Sequence, residues 1–201
     1  MKQKLEELKK HTPSIIGLER CQQAAVGIPL IEKEDGFHIL FEVRSRHIGR
    51  QPGDICFPGG RMEKGESPKD TAIRESAEEL LIEPSRIEIL GPMDIFHTER
   101  QVIYPFAMRL LDYRGSFSEA EVADTFTVPL DFFLKTEPES YLMRIPVPLQ
   151  KDFPYERIEG GKDYGWRDRQ ELVYFYQYKD RCIWGITAKI LKSFVDVWKK
   201  L

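Results

Sequence analysis

The stretch that most constrains this chain is Gly59-Gly60-Arg61-Met62-Glu63-Lys64-Gly65-Glu66, with residues 67–82 behind it. Ser67-Pro68 reads as a helix N-cap followed by proline in the first turn, and Asp70 places an acid near the positive helix end. Pro84 stops the element, so the pattern predicts a helix from Ser67 to about Ile82. At about 100° per residue, Ile73, Ala77, Leu80 and Leu81 fall on one side, while Glu75, Glu78 and Glu79 share an arc of roughly 100° opposite. One face is expected in the core and the other carries carboxylates.

Glu75 and Glu79 are like charges at i,i+4, which oppose a helix by roughly 0.2–0.5 kcal/mol unless a cation lies between them. A divalent metal would supply that charge, and oxygen ligands without thiolates suit a hard ion such as Mg²⁺ or Mn²⁺. A bare E-x-x-E-E is most often only a solvated acidic face, so the residues upstream decide. Gly60, then Glu66 after five residues, Arg74-Glu75 after seven more, and Glu78-Glu79 after two, resembles the Nudix box, G-x5-E-x7-R-E-x-x-E-E. Where that family usually has an apolar residue after Arg-Glu and a glycine two places past the last Glu, this chain has Ser76 and Leu81. The glycine normally eases the helix exit, so Leu81 bears on the geometry of that end; the charged positions are intact.

The resemblance implies an α+β fold, an α/β/α sandwich around a mixed central sheet, and metal-dependent hydrolysis of a nucleoside diphosphate linked to another moiety. It implies Glu75, Glu78 and Glu79 as metal ligands, Arg74 as the residue that orients these acids from within the helix, and Glu66 as its partner in the loop. The general base is open between a box glutamate and an acid of Glu119-Ala120-Glu121; Glu78 is favoured and Glu121 is the alternative.

The residues ahead of the box narrow the family. Arg44-Ser45, Gly53 and Phe57-Pro58-Gly59-Gly60 resemble the signature of Nudix coenzyme A pyrophosphatases, L-L-T-x-R-S-x3-R-x3-G-x3-F-P-G-G. Leu40-Phe41-Glu42 stands in place of L-L-T, and the second arginine position is Gly49, with Arg50 one place later. The stretch from Glu121-Val122 to Leu130, and Ile183-Trp184-Gly185-Ile186-Thr187-Ala188, are also similar to that subfamily. It implies coenzyme A or its acyl derivatives as substrate, with 3′,5′-ADP and 4′-(acyl)phosphopantetheine as products. Arg44, Arg46, His47 and Arg50 offer a cationic rim, and Gly59 and Gly60 permit close approach of the backbone to a ligand. The alternatives are an ADP-ribose or nucleotide-sugar pyrophosphatase and a non-catalytic nucleotide-binding module; the intact glutamates argue against the latter.

At 201 residues the chain is expected to form a single Nudix domain over 1–201, with a possible helix at 2–10 and an inserted loop at about 150–171. No apolar run approaches bilayer length, and Leu5-Glu6-Glu7-Leu8 stands where a signal peptide needs an apolar region, so a soluble, cytoplasmic protein is expected. Cys21, Cys56 and Cys182 are too few and scattered for a disulfide framework. A net charge of −3 gives no reason to expect nucleic-acid binding, and the sequence leaves the oligomeric state open. Residues 24–31 read as a buried strand, Asp35-Gly36 as a turn, and 37–44 as its hairpin partner. Further strands are expected at 87–90, 93–96, 102–111, 141–147 and 172–178, a polar loop with a short strand at 119–130, and a core-packing helix from Gly185.

Overall fold

The apolar run at residues 24–31 forms the middle of a strand, Gln22–Lys33 (β1), preceded by a short helix, Lys2–Leu8 (α1). Residues 27–30 are buried, as expected of a strand with neighbours on both sides. The computed structural model describes residues 2–49 and 51–201, which divide into two compact units, one ending at Thr127 and the other spanning Val128–Leu201.

In the first unit a two-residue turn, Glu34-Asp35, joins β1 to Gly36–Arg44 (β2), pairing Lys33 with Gly36 and Leu30 with Ile39. Two short strands follow, Ile55–Cys56 (β3) against β2 and Gly59–Arg61 (β4) against the first half of β1. The long helix is Pro68–Leu80 (α2). After it come Ile87–Pro92 (β5), Phe96–His97 (β6), Gln101–Leu110 (β7) and Val122–Pro129 (β8). β7 runs parallel to β1, while β5 and β6 pair with β7 antiparallel and β8 pairs with β2, so the sheet is mixed. Ala72 and Leu80 of α2 pack with Ala25, Leu40, Ile87, Met108 and Leu110. Burying a leucine of this kind contributes about 1.5–3 kcal/mol.

β1 changes partner along its length: residues 30–33 pair with β2 and residues 24–26 with β4. The change falls at Gly27, whose amide donates to Pro58 O at 2.8 Å. This split sends the Phe57-Pro58-Gly59 segment toward the end of α2, where the acids are.

Three sequence expectations are corrected. The helix core face contains Thr71, Ala72, Ser76, Glu79 and Leu80, whereas Leu81 has left the helix and is 60% exposed. Leu81 takes φ 48° and ψ 47°, and the Leu81 and Ile82 amides both donate to Ala77 O, closing the helix as glycine usually does. The strand expected at 93–96 is confined to Phe96–His97, because β5 continues through an irregularity between Ile89 and Gly91 to Pro92. The short strand expected near 119–130 is the longer β8, stabilised by pairing with β2.

The second unit holds a short helix, Leu130–Lys135 (α3), and an antiparallel sheet of Glu139–Ile145 (β9), Arg169–Tyr178 (β10) and Arg181–Trp184 (β11). Gly185–Trp198 (α4) buries Ala188, Ile190, Leu191, Phe194 and Val195. Residues 146–168 form a loop with two 3-10 turns, and the strand after it begins three residues earlier than expected. No helix among the described residues is long and apolar enough to cross a membrane.

Candidate active site

Ser67 caps α2 by accepting from Asp70 N at 3.2 Å, and its hydroxyl donates to Asp70 Oδ2 at 2.6 Å. Glu66 lies immediately before this cap, eight residues ahead of Arg74. Arg74 Nε and Nη2 donate to Oε1 and Oε2 of Glu66 at 2.9 and 3.0 Å, a two-pronged pairing. Its Nη1 donates to Glu75 Oε1 at 2.9 Å and to Glu78 Oε2 at 3.2 Å, and Nη2 reaches Arg61 O at 3.2 Å. Arg74 therefore orders three glutamates, with its single positive charge shared among them. Its hydrogen bond, with that of Glu63 N, holds Glu66 down at about pKa 2, and Glu66 in turn raises Arg74 well above the usual arginine value.

Glu79 is 5% exposed and accepts from Gly59 N at 2.7 Å. Gly59 has φ 148°, and a side chain there would stand 2.3 Å from Ala25 O and 2.6 Å from Val26 Cα. At Gly60 a Cβ would lie 2.3 Å from the carboxyl carbon of Glu75. The two glycines thus let the loop backbone close over the carboxylates.

Glu42 on β2 is the site residue that sequence reasoning missed. It is 1% exposed and feels the charge of the neighbouring Glu79 carboxyl. The available signal was strand parity: Glu42 shares a β2 face with Leu40, which packs against α2. Burial, and then the neighbouring Glu79 charge, push Glu42 well above the carboxylate range. Burial likewise pushes Glu79 up to about 7, against the Gly59 hydrogen bond, and raises Glu75 against the pull of Arg74. The Cys56 thiol, opposite Glu42 on β3, is driven up by desolvation and then by Glu42 and Glu79.

Glu121 is exposed, yet its charge reaches Glu42, Glu75 and Glu79, and Glu121 O accepts from Ser45 N at 2.8 Å. Arg44 opposes these charges at Glu42 and Glu79 and counters them at the Cys56 thiol. The structure thus brings together Glu66, Arg74, Glu75, Glu78, Glu79, Gly59, Gly60, Arg44 and Glu121. Arg46 and His47 lie exposed in the turn after β2, and Arg50 lies outside the described residues.

Among the described residues, no three acid, histidine or cysteine side chains are gathered closely enough to enclose an ion as they stand. The donor chemistry nevertheless fits a hard divalent cation: the acids offer oxygen only, Glu42 and Glu79 are buried, and Glu42 Oε1 has no hydrogen-bond partner.

The NUDIX domain model matches residues 22–143, more than half of the chain. The chain belongs to the Nudix family. This Nudix chain is 26% identical over 175 residues to the "Peroxisomal coenzyme A diphosphatase NUDT7" of Mus musculus, covering 83% of this chain and 66% of that one. It is 36% identical over 117 residues to the "Peroxisomal coenzyme A diphosphatase ndx-8" of Caenorhabditis elegans, covering 54% and 50%. It is 29% identical over 183 residues to the Nudix hydrolase NudL of Pectobacterium atrosepticum, covering 89% and 84%. The chain thus spans about half to two thirds of the two coenzyme A diphosphatases.

Proposed function

We propose that this Nudix protein is a metal-dependent pyrophosphohydrolase of coenzyme A or its acyl derivatives. Water adds to one phosphorus of the pyrophosphate and the bridging oxygen leaves with the other phosphate, giving 3′,5′-ADP and 4′-(acyl)phosphopantetheine. The observation that carries the reading is the Arg74-centred set of Glu66, Glu75 and Glu78 beside the buried Glu79, beneath the Gly59-Gly60 backbone.

In this reading Glu75, Glu78 and Glu79 would hold Mg²⁺ or Mn²⁺, which when bound neutralises the pyrophosphate oxygens and acidifies water. Arg74 holds Glu75 and Glu78 in place through Nη1, and Glu66 anchors Arg74. Glu78, 59% exposed at its side chain, is the acid able to take the proton of the attacking water; Glu121 is the alternative. Arg44, with Arg46 in the following turn and Arg50, supplies positive charge for the substrate phosphates. The coenzyme A signature at Arg44-Ser45, Gly53 and Phe57-Pro58-Gly59-Gly60 supports the choice of substrate, as do the names of the mouse and nematode relatives.

The 3′-phosphate distinguishes coenzyme A from its dephospho form and from ADP-ribose. A charge-assisted contact contributes about 1.5–3 kcal/mol, so one arginine reading that phosphate gives coenzyme A about a 10- to 160-fold higher kcat/KM. Steady-state kinetics on the three compounds, with Arg44→Ala and Arg50→Ala alongside, test this. Equal kcat/KM for all three would overturn the coenzyme A assignment and leave a broader pyrophosphatase.

A further inference from the structure

We propose that Glu42 is an additional oxygen ligand of the divalent ion assigned to Glu75, Glu78 and Glu79, a role that rests on the metal-dependent reading above. Glu42 reaches the site from the sheet, whereas the box glutamates reach it from α2, so the cation would be held between two elements of the fold.

Glu42 is 1% exposed, and the charge of the buried Glu79 acts on its carboxyl. Its Oε1 has no hydrogen-bond partner. Buried polar oxygens are nearly always paired, and an orphaned carboxyl oxygen beside a second buried acid marks a place where a partner is to be supplied. The other charges acting there are Glu79, Arg44 and Glu121, and the Cys56 thiol lies across the strand pair. Arg44 acts on that thiol as well. A cation coordinated by oxygens of Glu42 and Glu79 satisfies the orphaned atom and offsets the repulsion between the two acids.

A competing role is purely mechanical: Glu42 could only prop Glu79. Glutamine separates the two, because Glu42→Gln keeps the size and can still donate to Glu79 from its amide, but it replaces a carboxylate with a neutral ligand. Calorimetric titration of Mn²⁺ into the full chain is expected to show binding at least 10-fold weaker for Glu42→Gln. The rise in Tm on adding Mn²⁺ shrinks in parallel, read against each variant's own metal-free Tm. Manganese-edge anomalous diffraction from wild-type crystals soaked in Mn²⁺ gives a readout independent of any variant, and the peak is expected within coordination distance of Glu42 Oε1.

Affinity within twofold of wild type in Glu42→Gln, or an anomalous peak remote from Glu42, overturns the proposal. Glu79→Gln distinguishes the two layers of the argument. If it weakens Mn²⁺ binding while Glu42→Gln does not, only the role of Glu42 falls; if neither does, the carboxylate site itself falls with it.

Discussion

The backbone amide of Gly59 donates a 2.7 Å hydrogen bond to Oε2 of Glu79, tying the loop before the helix to the last box glutamate. The two glycines of this loop are required for different reasons. A methyl at Gly59 meets backbone at Ala25 and Val26, which cannot yield, and its φ of 148° disfavours any side chain. The three atoms nearest a methyl at Gly60 all belong to the Glu75 carboxylate, the far end of a flexible side chain rather than backbone. Gly59→Ala is therefore predicted to destabilise the protein by about 3 kcal/mol or more. Gly60→Ala should keep its Tm within a few degrees while losing turnover as Glu75 is displaced. Calorimetry and kinetics on the pair check the split; equal losses of stability would contradict it.

Leu81 occupies a left-handed conformation that costs a side-chain-bearing residue about 1–2 kcal/mol, and it is largely exposed, so little packing offsets that cost. Leu81→Gly relieves the strain but loosens the unfolded chain by about 0.5–1 kcal/mol. The net expectation is a gain of about 0.5–1 kcal/mol, which raises Tm by about 1–4 °C in a chain of this size. A lower Tm for Leu81→Gly would show that the Leu81 side chain contributes more than its exposure implies.

Metal-free protein should lose stability as pH rises from about 4.5 to 7. Burial lifts Glu79 from 4.5 to about 7, so across that window the folded state keeps a proton that the unfolded state has released. Stability then falls with pH by on the order of 3 kcal/mol, and Glu42 acts in the same direction. Glu66, held at about 2, has the opposite sign: its contribution is complete above 4.5 and disappears as pH falls toward 2. Chelator-treated protein followed by thermal melts should show Tm declining between pH 5 and 7.5, with a flatter profile in Glu79→Gln. A Tm that climbs through that range in the wild type contradicts the burial argument.

Loss of a positioned base typically costs 10²- to 10⁴-fold in rate, but so can loss of a metal ligand, so rate alone does not identify the base. The informative comparison is Glu78→Gln against Glu121→Gln at saturating metal, across pH. Glu78→Gln is predicted to lower kcat and erase the limb of the profile that reports deprotonation, while Glu121→Gln retains it. A wild-type profile in Glu78→Gln would move the role elsewhere.

The box was legible in the sequence because its spacing is set by one helix and the loop before it. Ser67, Pro68 and Pro84 mark the helix ends, and Glu66, Arg74 and Glu75 meet through local geometry. Glu42 was not legible, because its place depends on β2 pairing with β1 and on α2 packing over both. The orientation of Glu79 was hidden for a related reason. A helical wheel places it with the other acids, but the chain before α2 returns to β1 at Gly59 and turns that carboxyl inward. Leu81 read as a core position because periodicity carries no information about where a helix stops.

Chromatography of purified protein incubated with coenzyme A, with and without Mg²⁺ or Mn²⁺, reads the hydrolysis itself. The account predicts equimolar 3′,5′-ADP and 4′-phosphopantetheine, abolition of both by chelator, and at least a 100-fold slower rate in Glu79→Gln with its fold retained. Failure of metal-saturated wild-type protein to release 3′,5′-ADP, or an undiminished rate in Glu79→Gln, would contradict it.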